Sequence, residues 1–138
     1  MLELFEIQKT FNVGTVNEKK ALQGINLTIN DGDFITVIGG NGAGKSTLLN
    51  IISGAYMSDG GKILIDSVDV TNKAEYQRAK DLGRVFQDPM LGTAADMSIE
   101  DNLAMAFRRV KKRGLTWGIT RAEKERYKEL VKTLGLGL

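Results

Sequence analysis

The feature that most constrains the fold of this chain is a glycine-rich segment between an apolar run and an amphipathic stretch. Residues 39–47 read Gly-Gly-Asn-Gly-Ala-Gly-Lys-Ser-Thr, which fits the pattern G-x-x-x-x-G-K-S/T. The preceding apolar run, residues 34–38, predicts a strand buried on both faces. Residues 46–53 place Leu and Ile at helical spacing. A strand, a glycine loop and a helix in this order predict a phosphate-binding loop.

The residue types in this segment suit a phosphate chain. Glycines let phosphate oxygens approach backbone N–H groups, and the following helix points its positive end at the anion. Lys45 supplies a cation for the β and γ phosphates, and the Ser46 hydroxyl can coordinate Mg²⁺. The competing interpretation is a glycine-rich turn that happens to precede Lys and Ser; the flanking strand and helix patterns favour the phosphate loop. The predicted nucleotide-binding residues are Gly39, Gly40, Asn41, Gly42, Ala43, Gly44, Lys45, Ser46 and Thr47, with Lys45 also a catalytic candidate.

The first part of the chain alternates strand and helix signals, which is typical of an α/β domain. Apolar and polar residues alternate over 2–8 and 21–29, as in half-buried strands. Further strands are predicted over 62–65 and 82–86, and a helix over 74–81. These elements predict a mixed sheet core.

Two polar residues resemble ligands of nucleotide sites but are interpreted as local structure. Asp66 follows an apolar strand, as a Mg²⁺-binding carboxylate would, yet it lies soon after the glycine loop and reads as a turn residue. Asn72 begins a segment similar to the base-reading motif of GTPases, and it is interpreted as a helix cap.

The second part of the chain carries only helix signals. Capping-box patterns at Ser98 and Thr120 precede apolar residues at helical spacing, and they predict helices over 98–112 and from residue 120 onward. We therefore predict a nucleotide-binding core over residues 1–89 and a helical subdomain, itself partial, over 90–138.

The composition excludes several classes of site. The 138 residues contain no Cys and no His, so a disulfide framework, a Cys or His metal site and a Ser-His-Asp triad are ruled out. No run of about 18 apolar residues marks a membrane span. The net charge of +2 argues only weakly for a polyanionic partner.

Together these residues resemble the ATPase domain of ATP-binding-cassette (ABC) transporters, essentially over the whole chain. The main support for this resemblance is the sequence of the glycine loop, residues 39–47. Three further segments add to it: the strand from Ala21 to Leu27, the turn at Asp31-Gly32-Asp33, and Gly60-Gly61-Lys62-Ile63 through Asp66. Residues 83–89, Gly-Arg-Val-Phe-Gln-Asp-Pro, are similar to the family's Q-loop. The resemblance implies the P-loop nucleoside triphosphate hydrolase fold of ABC ATPase type.

The resemblance also implies roles for residues outside the glycine loop. Phe11 falls where the family stacks an aromatic ring on adenine; the alternative is a core residue that ends the first strand. Gln87 falls at the Q-loop glutamine, which ligates Mg²⁺ together with Ser46 and helps to organise the attacking water; the alternative is a polar strand-end residue.

A groove for a helix of the membrane subunit is implied beside the Q-loop. The residues that would line it are Met90, Leu91, Met97 and Met105, unless they fill core or loop positions.

The function implied by the resemblance is coupling of MgATP binding and hydrolysis to solute transport. The expected partners are a transmembrane permease subunit and a second ATPase subunit in a head-to-tail dimer, with the chain cytoplasmic and peripheral on the inner face of the membrane. An importer is expected because no membrane segment is fused to the motifs. The alternative is a non-transport ABC protein acting on nucleic acid or the ribosome through the basic residues 108–113; nucleic acid is not expected on the first interpretation.

Three family elements do not occur in the sequence: the signature motif, the second carboxylate strand and its catalytic Glu. We therefore expect an N-terminal part of the domain that binds nucleotide but is inactive as an ATPase alone. We also expect residues 34–38 to lack flanking strands, which leaves an open sheet edge.

Overall fold

A computed structural model describes residues 1–109 and 118–135, and it divides the chain into two compact units, Met1–Gly83 and Arg84–Leu138. The first unit contains all the strands found in the described residues. Within those same residues, no helix has the length and apolar character needed to cross a membrane.

The sheet of the first unit has four strands, β1 (Leu2–Phe11), β2 (Lys19–Ile29), β3 (Gly60–Ile65) and β4 (Val68–Asp69). Their order is β2-β1-β3-β4, and each pairing is antiparallel. The sequence therefore predicted β1, β2 and β3 correctly, although β1 ends three residues later than predicted and β2 and β3 each begin two residues earlier.

A β-bulge in β1 decides which side chains reach the core. Leu4 and Ile7 are both fully buried although they lie three residues apart, a spacing that would put them on opposite faces of a regular strand. The register against β2 shifts between these residues, and Glu6 has a φ of +48°. The extra residue of the bulge turns Ile7 back to the buried face.

Helix α1 (Lys45–Ser53) packs its apolar face on this sheet, as the helical spacing predicted. Leu48 and Ile51 join a buried cluster whose other members are Leu4, Ile7, Leu22, Ile63, Ile65 and Val70. The helix ends at Gly54, whose φ of +83° is the left-handed conformation that favours glycine. The core thus holds in place the helix that follows the glycine loop.

Two predicted strands are not formed. Residues 34–38 are irregular, with Phe34 94% and Ile38 88% exposed, and residues 82–86 are irregular as well. A strand needs hydrogen bonds to a neighbour, and among the described residues no strand pairs with either segment. The apolar run alone indicated burial, but it did not supply the partner that burial requires.

The turn and the short helix that follow β3 meet one prediction and contradict another. Asp66 and Ser67 have φ values of +47° and +64° in a turn between β3 and β4, so Asp66 is the turn residue predicted. Helix α2 (Glu75–Arg78) is shorter than predicted. It is preceded by Ala74 rather than Asn72, so the capping role given to Asn72 is wrong.

The second unit is helical, with α3 (Ile99–Arg108) and α4 (Arg121–Lys132). Ser98 accepts a hydrogen bond from Asp101 N, and Thr120 forms a capping box with Glu123, as the sequence predicted. Residues 110–112 of the predicted helix 98–112 lie outside the described residues. The boundary predicted at residue 89 stays a prediction.

Candidate functional site

The glycine loop folds around the Lys45 side chain. Lys45 Nζ donates hydrogen bonds to the carbonyl oxygens of Gly39 (2.6 Å) and Gly40 (2.8 Å). A turn closes the loop, since Ala43 N donates to Gly40 O at 3.2 Å. The ammonium is therefore held at the concave side of a backbone loop, immediately before α1.

Two glycines are required by the geometry of this loop. Gly44 has a φ of +89°, and a Cβ there would lie 2.6 Å from the Ala21 carbonyl oxygen, closer than any real contact. Gly42 has a φ of +80°, and a Cβ there would lie 2.9 Å from Lys19 Nζ. The close approach at Gly44 packs the loop against β2, and it explains why this turn needs glycine.

The N-terminus of α1 has the features of an anion-binding site. No side chain caps it, and its first turn contains no acidic residue. The first N–H groups of a helix lack partners within the helix, and the helix dipole gives this end a partial positive charge. Ser46 and Thr47 lie in this first turn, with the Ser46 side chain exposed. The structure thus places the Lys45 ammonium against the carbonyls of Gly39 and Gly40, next to the first turn of α1.

Phe11, at the end of β1, lies beside a second aromatic ring. It is half-buried, and its ring packs edge-on against that of Tyr56, with the ring centres 5.8 Å apart and the ring planes at 74°. Its Cα partner on β2 is Lys19, whose ammonium approaches the glycine loop. Phe11 is therefore connected to the loop through one cross-strand pair, which is compatible with its predicted role at a base.

Asp59 fixes the backbone next to Phe11. Its carboxylate accepts hydrogen bonds from Lys9 Nζ and from Thr10 N, both at 2.6 Å. These hydrogen bonds, from Lys9 first, lower the pKa of Asp59. Lys9 Nζ also lies 5.7 Å from the centre of the Phe11 ring. No sequence pattern pointed to Asp59, since an Asp before two glycines signals only a turn.

Arg78 is a second residue whose role was not predicted from the sequence. It is 1% exposed, and its guanidinium donates to the carbonyls of Ile51 (2.7 Å) and Ile52 (2.9 Å) near the end of α1. It also donates to Thr71 O and Lys73 O. Burial lowers the pKa of Arg78. The side chain thus ties the C-terminal end of α1 to the segment that precedes α2, and its short-range sequence context gives no sign of this.

Gln87 belongs to the second unit, whereas the glycine loop belongs to the first. It is exposed and lies in an irregular segment, not at the end of a strand. The next residue, Asp88, accepts a hydrogen bond from Met90 N at 2.9 Å and opens a 3₁₀ turn, Pro89–Gly92. Met90, Leu91, Met97 and Met105 are all exposed, which argues against a core role for them within the second unit.

The basic residues 108–113 are only partly described. Arg108 donates to Glu123 Oε2 at 2.8 Å and to Gly118 O at 2.8 Å. Residues 110–113 lie outside the described residues. In the described part, Arg108 is thus engaged within its own unit.

A glycine loop packed against a sheet, followed by a helix whose first lysine turns back into that loop, is typical of P-loop nucleotide-binding proteins. Residues 22–138 match the protein family described as ABC transporter, so the chain belongs to the ABC transporter family. The resemblance in the sequence and the predicted fold class are confirmed.

The similar proteins are ATP-binding components of transport systems. The chain is 42% identical over 111 residues to a tyrosine transport ATP-binding protein of Clostridioides difficile (strain R20291), which covers 80% of this chain and 44% of that protein. It is 36% identical over 138 residues to the energy-coupling factor transporter ATP-binding protein EcfA2 of Clostridium acetobutylicum, covering 98% of this chain and 46% of that protein.

Solved structures give the same fold. The ATP-binding cassette MJ0796, solved as a dimer in a post-hydrolysis state bound to ADP and Pi, superposes with a TM-score of 0.77 at 28% identity. The match covers 99% of this chain and 58% of that cassette. The chain thus spans less than half the length of the two relatives named above and little more than half of a cassette.

Proposed function

We propose that this chain is the nucleotide-binding part of the ATP-binding subunit of an ABC transporter, which couples MgATP binding and hydrolysis to solute transport. The observation that carries the proposal is the loop of residues 39–44 closed around Lys45 at the start of α1. Membership of the ABC transporter family supports the same conclusion.

The loop binds the phosphate chain of ATP through its own groups. The backbone N–H groups of residues 39–47 donate to phosphate oxygens at the positive end of α1. Lys45 exchanges its two carbonyl partners for β- and γ-phosphate oxygens, which are the stronger acceptors because they are charged. The carbonyl bonds thus hold the side chain close to where the phosphates bind.

The residues of the loop also fit a Mg²⁺ ion held by phosphate. The Ser46 hydroxyl is exposed and forms no hydrogen bond with another described residue, so it is free to coordinate. Mg²⁺ prefers oxygen ligands together with substrate phosphates. When bound, the ion neutralises charge on the β and γ phosphates. We propose the Gln87 amide oxygen as a further ligand and Phe11 as the ring that stacks on adenine.

The names of the similar proteins support a proposal for the partners of this chain. One solved relative is a dimeric cassette. We therefore propose that this chain pairs with a second ATP-binding subunit. A relative named for spermidine and putrescine import is 35% identical. We propose an import system, following the relative named for import, with a transmembrane permease subunit as the partner and with this subunit at the inner face of the membrane. Hydrolysis is proposed for the whole protein, not for these 138 residues alone.

Lys45→Ala tests the site. A charge-assisted hydrogen bond contributes about 1.5–3 kcal/mol, so we expect ATP affinity to fall by about tenfold to a hundredfold in a titration with a fluorescent ATP analogue. Lys62→Ala is the matched control, because it removes the same charge from an exposed strand residue and should leave affinity unchanged. Equal affinity of Lys45→Ala and wild type would contradict the assignment of the site.

A further inference from the structure

Lys19 places a second ammonium at the glycine loop. It is the first residue of β2, and its Cα partner on β1 is Phe11. Its Nζ lies 2.9 Å from the position that a Cβ of residue 42 would occupy. The ammonium therefore lies against the middle of the loop, in the space that glycine at position 42 leaves open.

This ammonium differs from that of Lys45 in what it contacts. Lys45 Nζ is hydrogen-bonded to Gly39 O and Gly40 O. Within residues 1–109 and 118–135, Lys19 forms neither an ion pair nor a side-chain hydrogen bond, and its side chain is exposed. Because no carboxylate neutralises this ammonium, it attracts a ligand phosphate at the loop, although solvent screens the interaction.

The position of Lys19 along β2 also indicates which part of a nucleotide it meets. Phe11, the proposed adenine-stacking residue, is directly across the strand pair, and Gly42 is in the phosphate loop. Lys19 thus lies between the base side and the phosphate side of the site. We infer, on the basis of the proposed function, that Lys19 binds the phosphate chain of the nucleotide on the side nearest the ribose, as a binding residue additional to Lys45.

The neighbouring lysine provides an internal control. Lys20 is also exposed, and it pairs with Thr10 on β1. Because successive side chains of a strand point to opposite faces, Lys20 faces away from the side on which Lys19 approaches the loop. Lys19→Ala and Lys20→Ala therefore remove the same charge from adjacent positions of one strand.

The experiment measures binding of ATP, ADP and adenosine to the full 138-residue chain and to both variants. We expect Lys19→Ala to weaken ATP and ADP binding by about fivefold to twentyfold, as a screened charge-assisted contact does, and to leave adenosine binding unchanged. Lys20→Ala should bind all three ligands as wild type does. An unchanged ATP affinity in Lys19→Ala, with wild type binding ATP, would overturn the role of Lys19 alone. Absence of ATP binding by wild type would overturn the proposed function as well.

A second measurement uses only the wild-type chain, so it is informative even if the Lys19→Ala variant does not fold. Amine-reactive labelling followed by mass spectrometry reports the accessibility of each lysine in the wild-type chain. We expect saturating ATP, but not adenosine, to protect Lys19, while Lys20 reacts equally in all samples. Equal labelling of Lys19 with and without ATP would reject the inference even if Lys19→Ala were unstable.

Discussion

At the scale of single residues, backbone conformation and charge placement make the loop. Gly44 adopts a left-handed φ where its Cα touches β2, and a side chain there would meet the Ala21 carbonyl oxygen. Lys45, the next residue, starts α1 and turns its ammonium back into the loop. The two adjacent residues thus have separate tasks: Gly44 lets the loop approach the sheet, and Lys45 supplies the charge.

Gly44→Ala should destabilise the chain and weaken ATP binding. The left-handed conformation alone costs a residue with a Cβ about 1–2 kcal/mol, and the contact at 2.6 Å with a backbone oxygen adds to this cost. We expect a lower free energy of unfolding in urea, by about 2 kcal/mol or more. Gly40→Ala is the control for stability, since its Cβ would meet nothing within 4 Å. Equal losses in the two variants would show that the contact with β2 is unimportant.

At the scale of elements, α3 and α4 are connected by a charged cluster at their ends. Glu123 accepts hydrogen bonds from Arg108 and from Thr120 N and Oγ1, each at 2.8 Å. These contacts, from Arg108 first, lower the pKa of Glu123 to about 2. One carboxylate therefore both caps α4 and holds α3.

The stability of this helix pair should depend on pH. Because the pKa of Glu123 is lower in the folded chain than the usual 4.5, its contribution is complete above about pH 5 and is lost as pH falls towards 2. Glu123→Gln keeps a side chain that can complete the capping box but removes the charge. We expect its melting temperature to be lower than that of wild type at pH 7 and the difference to shrink on acidification.

Glu125→Gln is the control for this helix. It removes a charge whose only ion pair in the described residues is an exposed one, with Lys128 at 3.2 Å. Exposed pairs contribute little to stability, so this variant should melt as wild type does at every pH. A pH-independent difference between Glu123→Gln and wild type would exclude the charge as the cause.

At the scale of the whole molecule, the chain exposes residues 34–38, an apolar run whose pattern predicted a buried strand. Phe34, Ile35, Val37 and Ile38 are 94%, 46%, 41% and 88% exposed, in a segment that contains no charge. Short uncharged segments of high β-propensity associate with one another when they are exposed. The first unit therefore carries a surface that favours self-association.

Phe34→Lys should reduce that association. We expect the sedimentation coefficient of wild type to increase with concentration. A charge in the run opposes strand pairing between copies, so this increase should be several-fold smaller in Phe34→Lys. Val16→Lys is the matched control, because Val16 is fully exposed but outside the run. A monomeric wild-type chain at high concentration, or equal effects of both variants, would contradict the prediction.

The glycine loop, the start of α1 and the N-caps of α3 and α4 could be predicted from local sequence alone. These features depend on residues a few positions apart: Lys45 bonds to carbonyls five and six residues earlier, and the capping box joins Thr120 to Glu123. Local spacing therefore suffices to predict them, and the ABC transporter family could be recognised from the loop and its flanks.

The remaining features depend on contacts between segments that lie far apart in the sequence. The strand predicted over 34–38 depends on a partner elsewhere in the chain, and an apolar run cannot specify one. Arg78 reaches a carbonyl 27 residues away, the bulge at Glu6 sets which face Ile7 takes, and Lys19 meets Gly42 across two elements. These contacts form between segments distant along the chain, and no pattern within either segment encodes them. The loop was therefore predictable from sequence, whereas the side chains that surround it from other elements were not.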